Sequence, residues 1–325
     1  LTGVRLMLFT VPSLSDASIE SSSVAYPSKR VLLAKITALL AAATCGGLVS
    51  PTGEAARRRY PPTTHPSAMS ALTAAIDNHI KYLRLSGRIA ANERTAWLVY
   101  DFTSRQYLTA INANIPYQSA SMIKPFIALA FFYKVLEGKL HYTPYNRMRM
   151  EAMIQYSDNS ATNYFIRLLN QTSRRSGPVE AERTLKRYNP GIFRNTRIVE
   201  RIPTSGRTYR NKASALWYNQ LPFSNELKRL MNLPNRDRVY TGADGVARQT
   251  WVFDKTGTTA RLCGNMGILV AQGRNGGRYP YTFIGIIEKA RPTKHYRAWK
   301  DDRGDVIRDV SGIAYQHMSR LHNLV

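Results

Sequence analysis

Apolar positions mark one helix more clearly than any other element. In "SASMIKPFIALAFFYKVLEGKL", residues 119 to 140, Ile123, Phe126, Ile127, Ala130 and Phe131 recur at three- and four-residue spacing, and Gly138 stands where a left-handed C-terminal cap belongs. Pro125 suits a first turn, where its missing N–H costs little, so the helical hydrogen bonds are expected to begin at about Ser121. The same reading predicts a helix over about 68–85, then strands over about 95–102 ("TAWLVYDF") and 106–111 ("QYLTAI"). Helices follow near 146–155, 161–170, 212–219 and 224–232, while 172–210, rich in Arg, Gly, Pro and Asn, reads as loop. Strands near 249–256, 263–272 and 280–289 precede a closing helix at about 305–322. Strands, then helices, then strands predict an α+β fold, with an antiparallel sheet drawn from both chain ends and a helical region, about 112–246, inserted between.

Composition sets outer limits. With 325 residues, 44% of them hydrophobic, the chain can bury one large core or two closely joined subdomains. The net charge of +25 draws it towards polyanions: an acidic wall polymer, a membrane surface or nucleic acid. The plainer alternative is a solvated basic surface. Residues 1–50 resemble a leader, because Lys29-Arg30 precede "VLLAKITALLAAATCGGLVS", an apolar segment ending near small residues, with cleavage expected after Ala43. Export to the periplasm or cell envelope is therefore expected, with a lipoprotein at Cys45 as a minority alternative. The leader speaks against nucleic acid, for which no motif is present. Residues 51–66 read as linker and 67–325 as the folded domain. Cys45 and Cys263 give no disulfide framework, and Cys263 reads as a buried thiol on an apolar strand. The six His residues show no metal-ligand spacing, so neither metal nor cofactor is implied.

Candidate chemistry begins at Ser121 and Lys124. Three residues apart on a helix, they share a face, so the hydroxyl and the amine can come within hydrogen-bonding reach. A chain this long contains about one S-x-x-K by chance, so for the pair alone a helix cap with a snorkelling Lys is the favoured reading. Two further stretches change the odds: "YSDNSATNYF", with Ser157-Asp158-Asn159, and "VFDKTGTTARLCGNMGILV", with Lys255-Thr256-Gly257. Singly each has a duller reading, with Ser157 and Asn159 capping a helix, Lys255 a solvated strand charge and Gly257 a bulge. As an ordered set, S-x-x-K, S-D-N and K-T-G point to nucleophilic catalysis.

On these motifs the chain resembles the serine β-lactamase and penicillin-binding superfamily, most closely its class A-like branch, over roughly residues 67 to 325. The resemblance implies that Ser121 is the nucleophile and Lys124 its base, provided burial and the Lys255 cation lower the amine's pKa. It implies a proton relay at Ser157, an amide donor at Asn159, carboxylate binding at Thr256 and Thr258 beside Gly257, and an oxyanion hole from the N–H groups of Ser121 and Thr258. The substrate would be a β-lactam or a peptidoglycan stem peptide. Two departures stand out: only 36 residues separate Ser121 from Ser157 (157 − 121), and no E-x-x-L-N follows Ser157 to supply a deacylating Glu. Glu200 lies in the right interval but reads more simply as an exposed loop carboxylate among arginines. A slow-deacylating D,D-peptidase or penicillin-binding-type enzyme and a catalytically idle wall-binding relative therefore stand as alternatives.

Overall fold

The computed structural model describes residues 70–203, 209–215 and 225–325. The leader-like segment, Cys45, the linker and the start of the domain at 67 lie outside the described residues.

Period-two alternation with both faces covered organises the sheet. Among the described residues, β1 (Glu93–Asp101), β2 (Gln106–Ile111), β5 (Trp251–Thr258), β6 (Leu262–Gln272) and β7 (Arg278–Lys289) form one antiparallel sheet in the order β2-β1-β7-β6-β5. The β1–β7 pairing, Glu93 opposite Lys289 through Asp101 opposite Tyr281, joins the two chain ends. Along β1, Ala96 and Leu98 face one apolar layer while Trp97 and Val99 face the other. The second layer is closed by α1 (Ala71–Leu85) and by the C-terminal helix Tyr296–His322, through residues such as Leu72, Ile76, Ile307 and Met318. The first layer packs on α2 (Lys124–Leu136), whose Phe126, Ile127, Ala130 and Phe131 are all buried. Burial on both sides explains why β6 and β7 read as almost unbroken apolar runs.

Between β2 and β5 the chain builds α2, α3 (Pro144–Ile154), α4 (Asn159–Asn170), α5 (Gly177–Tyr188) and α6 (Asn225–Met231), with β3 (Tyr117–Gln118) paired to β4 (Lys212–Ala213). The C-terminal helix is α7.

Four sequence expectations need correction. The helix expected to open at Ser121 begins as a 3-10 turn, Ala120–Ile123, and becomes α-helical at Lys124, with Pro125 in its first turn. The stretch 172–210 is not all loop. Pro178 sits in the first turn of α5, and a Cβ on Gly177 would lie 1.9 Å from the Ile166 carbonyl oxygen, so residues that mark loops elsewhere here start a helix packed tightly on α4. The helix expected at 212–219 starts later: Lys212–Ala213 form β4, Ala215 is helical, and residues 216–219 lie outside the described residues. Helix α7 begins nine residues before 305, at Tyr296, because its charged first turns hide two inward anchors: Trp299 Nε1 donates to Glu93 Oε1 at 2.5 Å and Arg303 Nε to Glu93 Oε2 at 2.9 Å.

Candidate active site

The 3-10 turn bearing Ser121 is held from two sides. From one side, the Ser119 backbone N–H and hydroxyl both donate to the Asn211 carbonyl, at 3.0 and 3.1 Å. On the other, the Met122 side chain lies across β5 and β6. A Cβ on Gly257 would fall 2.9 Å from Met122 Cγ and 3.1 Å from Met122 N, and one on Gly264 would fall 2.8 Å from Met122 Cε. Gly257 therefore serves close approach of the turn to the sheet. It marks no bulge, because β5 pairs with β6 without interruption from Trp251 opposite Val270 to Thr258 opposite Cys263. Ala120, just before Ser121, has φ +46°, a conformation that costs a non-glycine residue free energy. The turn leaves Ser121 half-buried.

Lys124 is fully buried at the start of α2, and its amine points at the bend between α3 and α4. It donates to the Ser157 carbonyl, to Ser157 Oγ at 3.1 Å and to Asn159 Oδ1 at 2.8 Å. Ser157 has φ +57°, which turns its carbonyl and its hydroxyl towards the same amine. The N-cap of α4 is Asp158, whose carboxylate accepts from Ala161 N–H, so neither Ser157 nor Asn159 serves that purpose. The expected reach between Lys124 and the Ser121 hydroxyl is not realised as a hydrogen bond among the described residues, since the amine is taken up by the α3–α4 bend. Burial drives the Lys124 pKa down to about 6, with the Lys255 charge adding to the effect and Asp158 opposing it.

Lys255 is itself buried on β5, its amine donating to the Thr256 carbonyl at 3.1 Å. Burial holds its pKa below the ordinary lysine value, Arg238 acts in the same direction and Asp254 opposes. Thr256 and Thr258, alternate residues of β5, share one face of the strand and are half-buried. Just beyond them, Thr259 Oγ1 donates to Gln118 Oε1 at 2.5 Å, and Gln118 Nε2 donates to the Tyr209 carbonyl at 2.9 Å. The Tyr209 phenol, its pKa raised chiefly by burial, is hydrogen-bonded to the Asn159 side chain. Cys263 is buried on β6, where burial pushes its thiol up.

Glu200 departs from its expected place on the surface. Its side chain is 12% exposed, Oε1 accepts from the Arg210 N–H at 2.6 Å and Oε2 from Arg210 Nε at 2.7 Å. Asn211 straps the same segment, its Oδ1 accepting from Val199 N–H and Glu200 N–H at 2.8 and 3.3 Å.

Solved structures share this arrangement of sheet and helices. PBP-A matches at 20% identity over 75% of this chain and 96% of its own, with a TM-score of 0.57. An ancestral class A β-lactamase matches at 17% identity over 74% and 99%, with a TM-score of 0.58. The fold is that of the serine β-lactamases and penicillin-binding proteins. A class A β-lactamase from Bacteroides cellulosilyticus, 16% identical over 77% of this chain and 99% of its own at a TM-score of 0.58, has it too. No family model matches the chain, and no curated protein does. At these identities the likeness speaks for the fold alone.

Within this β-lactamase-like fold, sequence reasoning missed three residues that shape the site. Met122 and Ala120 fix the Ser121 turn, and only the glycines opposite them hint at the close packing. Tyr209 lies in a segment without motif or periodicity, so nothing in the sequence singles it out.

Proposed function

We propose that this chain is a serine acyl-enzyme hydrolase that opens β-lactams or related amide bonds of cell-wall peptides, and that its acyl-enzyme deacylates slowly. One observation carries the reading. The Lys124 amine is buried among neutral oxygens with its pKa near 6, so at neutral pH most of it is unprotonated and able to accept a proton. In this reading Ser121 Oγ attacks the carbonyl carbon while its proton moves to Lys124, directly or through Ser157 Oγ. The N–H groups of Ser121 and Thr258 receive the oxyanion, a contribution of about 3–4 kcal/mol per donor in sites of this kind. Collapse breaks the C–N bond, and the Ser157 hydroxyl passes its proton to the departing nitrogen while taking one back from the Lys124 ammonium, which leaves the acyl group on Ser121 and Lys124 neutral again. Thr256, Thr258 and the Lys255 charge hold the substrate carboxylate. A variant of PBP-A has been captured as an acyl-enzyme with penicillin G, which supports a β-lactam as the probe of choice.

Slow deacylation is supported by Glu200, whose two carboxylate oxygens are both engaged by Arg210. A water attacking the ester then lacks general-base help that typically contributes about 10²–10⁴-fold. Export is part of the proposal, supported by Lys29-Arg30 and the apolar segment behind them. Fluorescent penicillin should label the wild type and not Ser121→Ala, and an intact-mass spectrum taken minutes after mixing should still show the adduct. Equal labelling of both proteins would remove Ser121 from the reaction. Rapid turnover with no adduct would remove slow deacylation.

A further inference from the structure

The rim beside Thr258 carries positive charge that the proposed chemistry leaves unused. The segment from Lys289 to Lys300, "KARPTKHYRAWK", contains Lys289, Arg291, Lys294, Arg297 and Lys300 and no acidic residue. It is fastened to the β5–β6 turn that follows Thr258: Lys289 N–H donates to the Arg261 carbonyl at 2.7 Å, Thr293 N–H to the Ala260 carbonyl at 2.8 Å, and Arg261 Nε to the Lys289 carbonyl at 3.2 Å. Most neighbouring charges are already engaged. Lys300 pairs with Asp301, which Arg297 also influences; Lys289 lies 3.9 Å from Glu93; and Glu288 is held by Arg94 and the Gln118 N–H. Arg291 and Lys294 are exposed and have no ion pair or side-chain hydrogen bond among the described residues.

We propose that the acyl donor carries at least one further carboxylate on its leaving-group side, beyond the one held at Thr256 and Thr258, and that Arg291 and Lys294 receive it. The assignment rests on the acyl-transfer reading, because that reading puts the leaving group's carboxylate at Thr258. Like charges gathered at one edge of a cleft raise the local concentration of anions, and exposed charges act over roughly 8–10 Å at ordinary salt. A leaving group with a single carboxylate leaves these two cations solvated. One with a second carboxylate can reach them.

Two measurements separate this inference from the reading beneath it. The first is equilibrium binding of tricarballylate, which needs no acylation, to the wild type and to the double variant Arg291→Ser/Lys294→Ser, with circular dichroism to check the fold. The variant should bind roughly 3–10-fold more weakly at low salt, the range expected for two exposed ion pairs, and added salt should erase the difference. The second uses two thioester acyl donors with the same acyl group, one releasing mercaptoacetate and the other mercaptosuccinate. Wild type should favour the mercaptosuccinate ester by a similar factor, and the double variant should bring the ratio towards one. Equal tricarballylate affinity in both proteins would overturn the rim's role, whatever penicillin labelling shows. A stronger, variant-sensitive preference for an oligonucleotide would overturn the carboxylate assignment. Loss of penicillin labelling at Ser121 with tricarballylate discrimination intact would remove the acyl-transfer reading and, with it, the leaving-group assignment.

Discussion

Helix α2 buries a lysine at each end, and the two amines keep different company. Lys134 is 1% exposed and faces carboxylates, Glu180 in the core and Glu137 at 3.3 Å. Lys124 is 0% exposed and faces a carbonyl, a hydroxyl and an amide oxygen. At the Lys134 end, burial pushes the Glu180 carboxyl up, but hydrogen bonds from Lys134 and Ser173 with the Lys134 charge bring it below the usual carboxylate range. That end is a buried ion pair, and its free energy depends on both partners remaining. At the Lys124 end no carboxylate among the described residues touches the amine, so burial and the Lys255 charge act against the protonated form. Burial alone does not suit a lysine to the proposed role of base; burial beside neutral acceptors and a second cation does.

Substituting each lysine in turn tests the comparison most severely. Lys124→Met should lower the rate of penicillin labelling by about 10²–10⁴-fold, the usual scale of lost proton transfer, while the protein stays folded. Lys134→Met should do the reverse. It strands Glu180 in the core, with an expected loss of about 3–5 kcal/mol in a denaturation curve, while any folded fraction is labelled at the wild-type rate. If both variants lost stability and both kept labelling, the two ends would not differ in the way their partners imply.

Acidity gives the next effect in size. With Lys124 as the proposed base, its neutral amine is the active form, so acylation should rise with pH through about 6 and then level off. At higher pH it should fall as Lys255 loses its charge, earlier than an ordinary lysine would. Stability follows from the same shift. Between about 6 and the ordinary value of 10.5, the unfolded chain binds a proton at Lys124 that the folded chain does not, so this group makes stability rise with pH by up to about 1.4 kcal/mol per unit. Denaturation of Lys124→Met across that window should show the slope reduced, and an unchanged slope would mean that Lys124 is protonated in the native state.

How much of this was legible in the sequence depends on whether a feature is local. The apolar spacing of α2, the bend at Ser157-Asp158-Asn159 and the strands from both chain ends follow from local periodicity and turn chemistry, and each is found near its expected position. Helix α5 was hidden because Gly177 and Pro178, ordinarily loop residues, form its first turn against Ile166. The start of α7 was hidden because Trp299 and Arg303 are buried only through Glu93, about 200 residues away. At the site, Lys124 and Lys255 could be named from their motifs. The direction of the Lys124 amine could not, because it depends on Ser157 adopting a positive φ that no serine announces.

A smaller effect should follow from crowding the Lys124 end of α2. The Cβ of Gly257→Ala would meet Met122 Cγ at 2.9 Å, a flexible side chain that can yield, and Met122 N at 3.1 Å, which cannot yield without moving the Ser121 turn. The expected cost is about 1–3 kcal/mol, with slower labelling. Relieving the side-chain clash with Met122→Ala in the same protein should recover only part of the labelling rate. Full recovery would mean that the backbone approach of β5 to the turn is not what positions Ser121.

The smallest effect is expected at Glu200, a carboxylate that keeps company with an arginine as Glu180 does with a lysine. Both of its oxygens are satisfied by Arg210, through one backbone N–H and one guanidinium N–H, and the side chain is only 12% exposed while that of Arg210 is 70% exposed. A pair open to solvent on one side is worth little, roughly 0–1 kcal/mol, so Glu200→Gln should barely move the denaturation midpoint. An amide oxygen can still accept one of the two hydrogen bonds, which keeps the segment strapped by Asn211 in place. If Glu200 takes no part in activating water, the lifetime of the penicilloyl adduct in Glu200→Gln, followed by intact mass over minutes to hours, should match that of the wild type. A markedly longer lifetime in the variant would show that Glu200 leaves Arg210 once the acyl-enzyme has formed and acts on the water after all, and it would then resemble Lys124, defined by what it can reach in the reaction, more than Glu180.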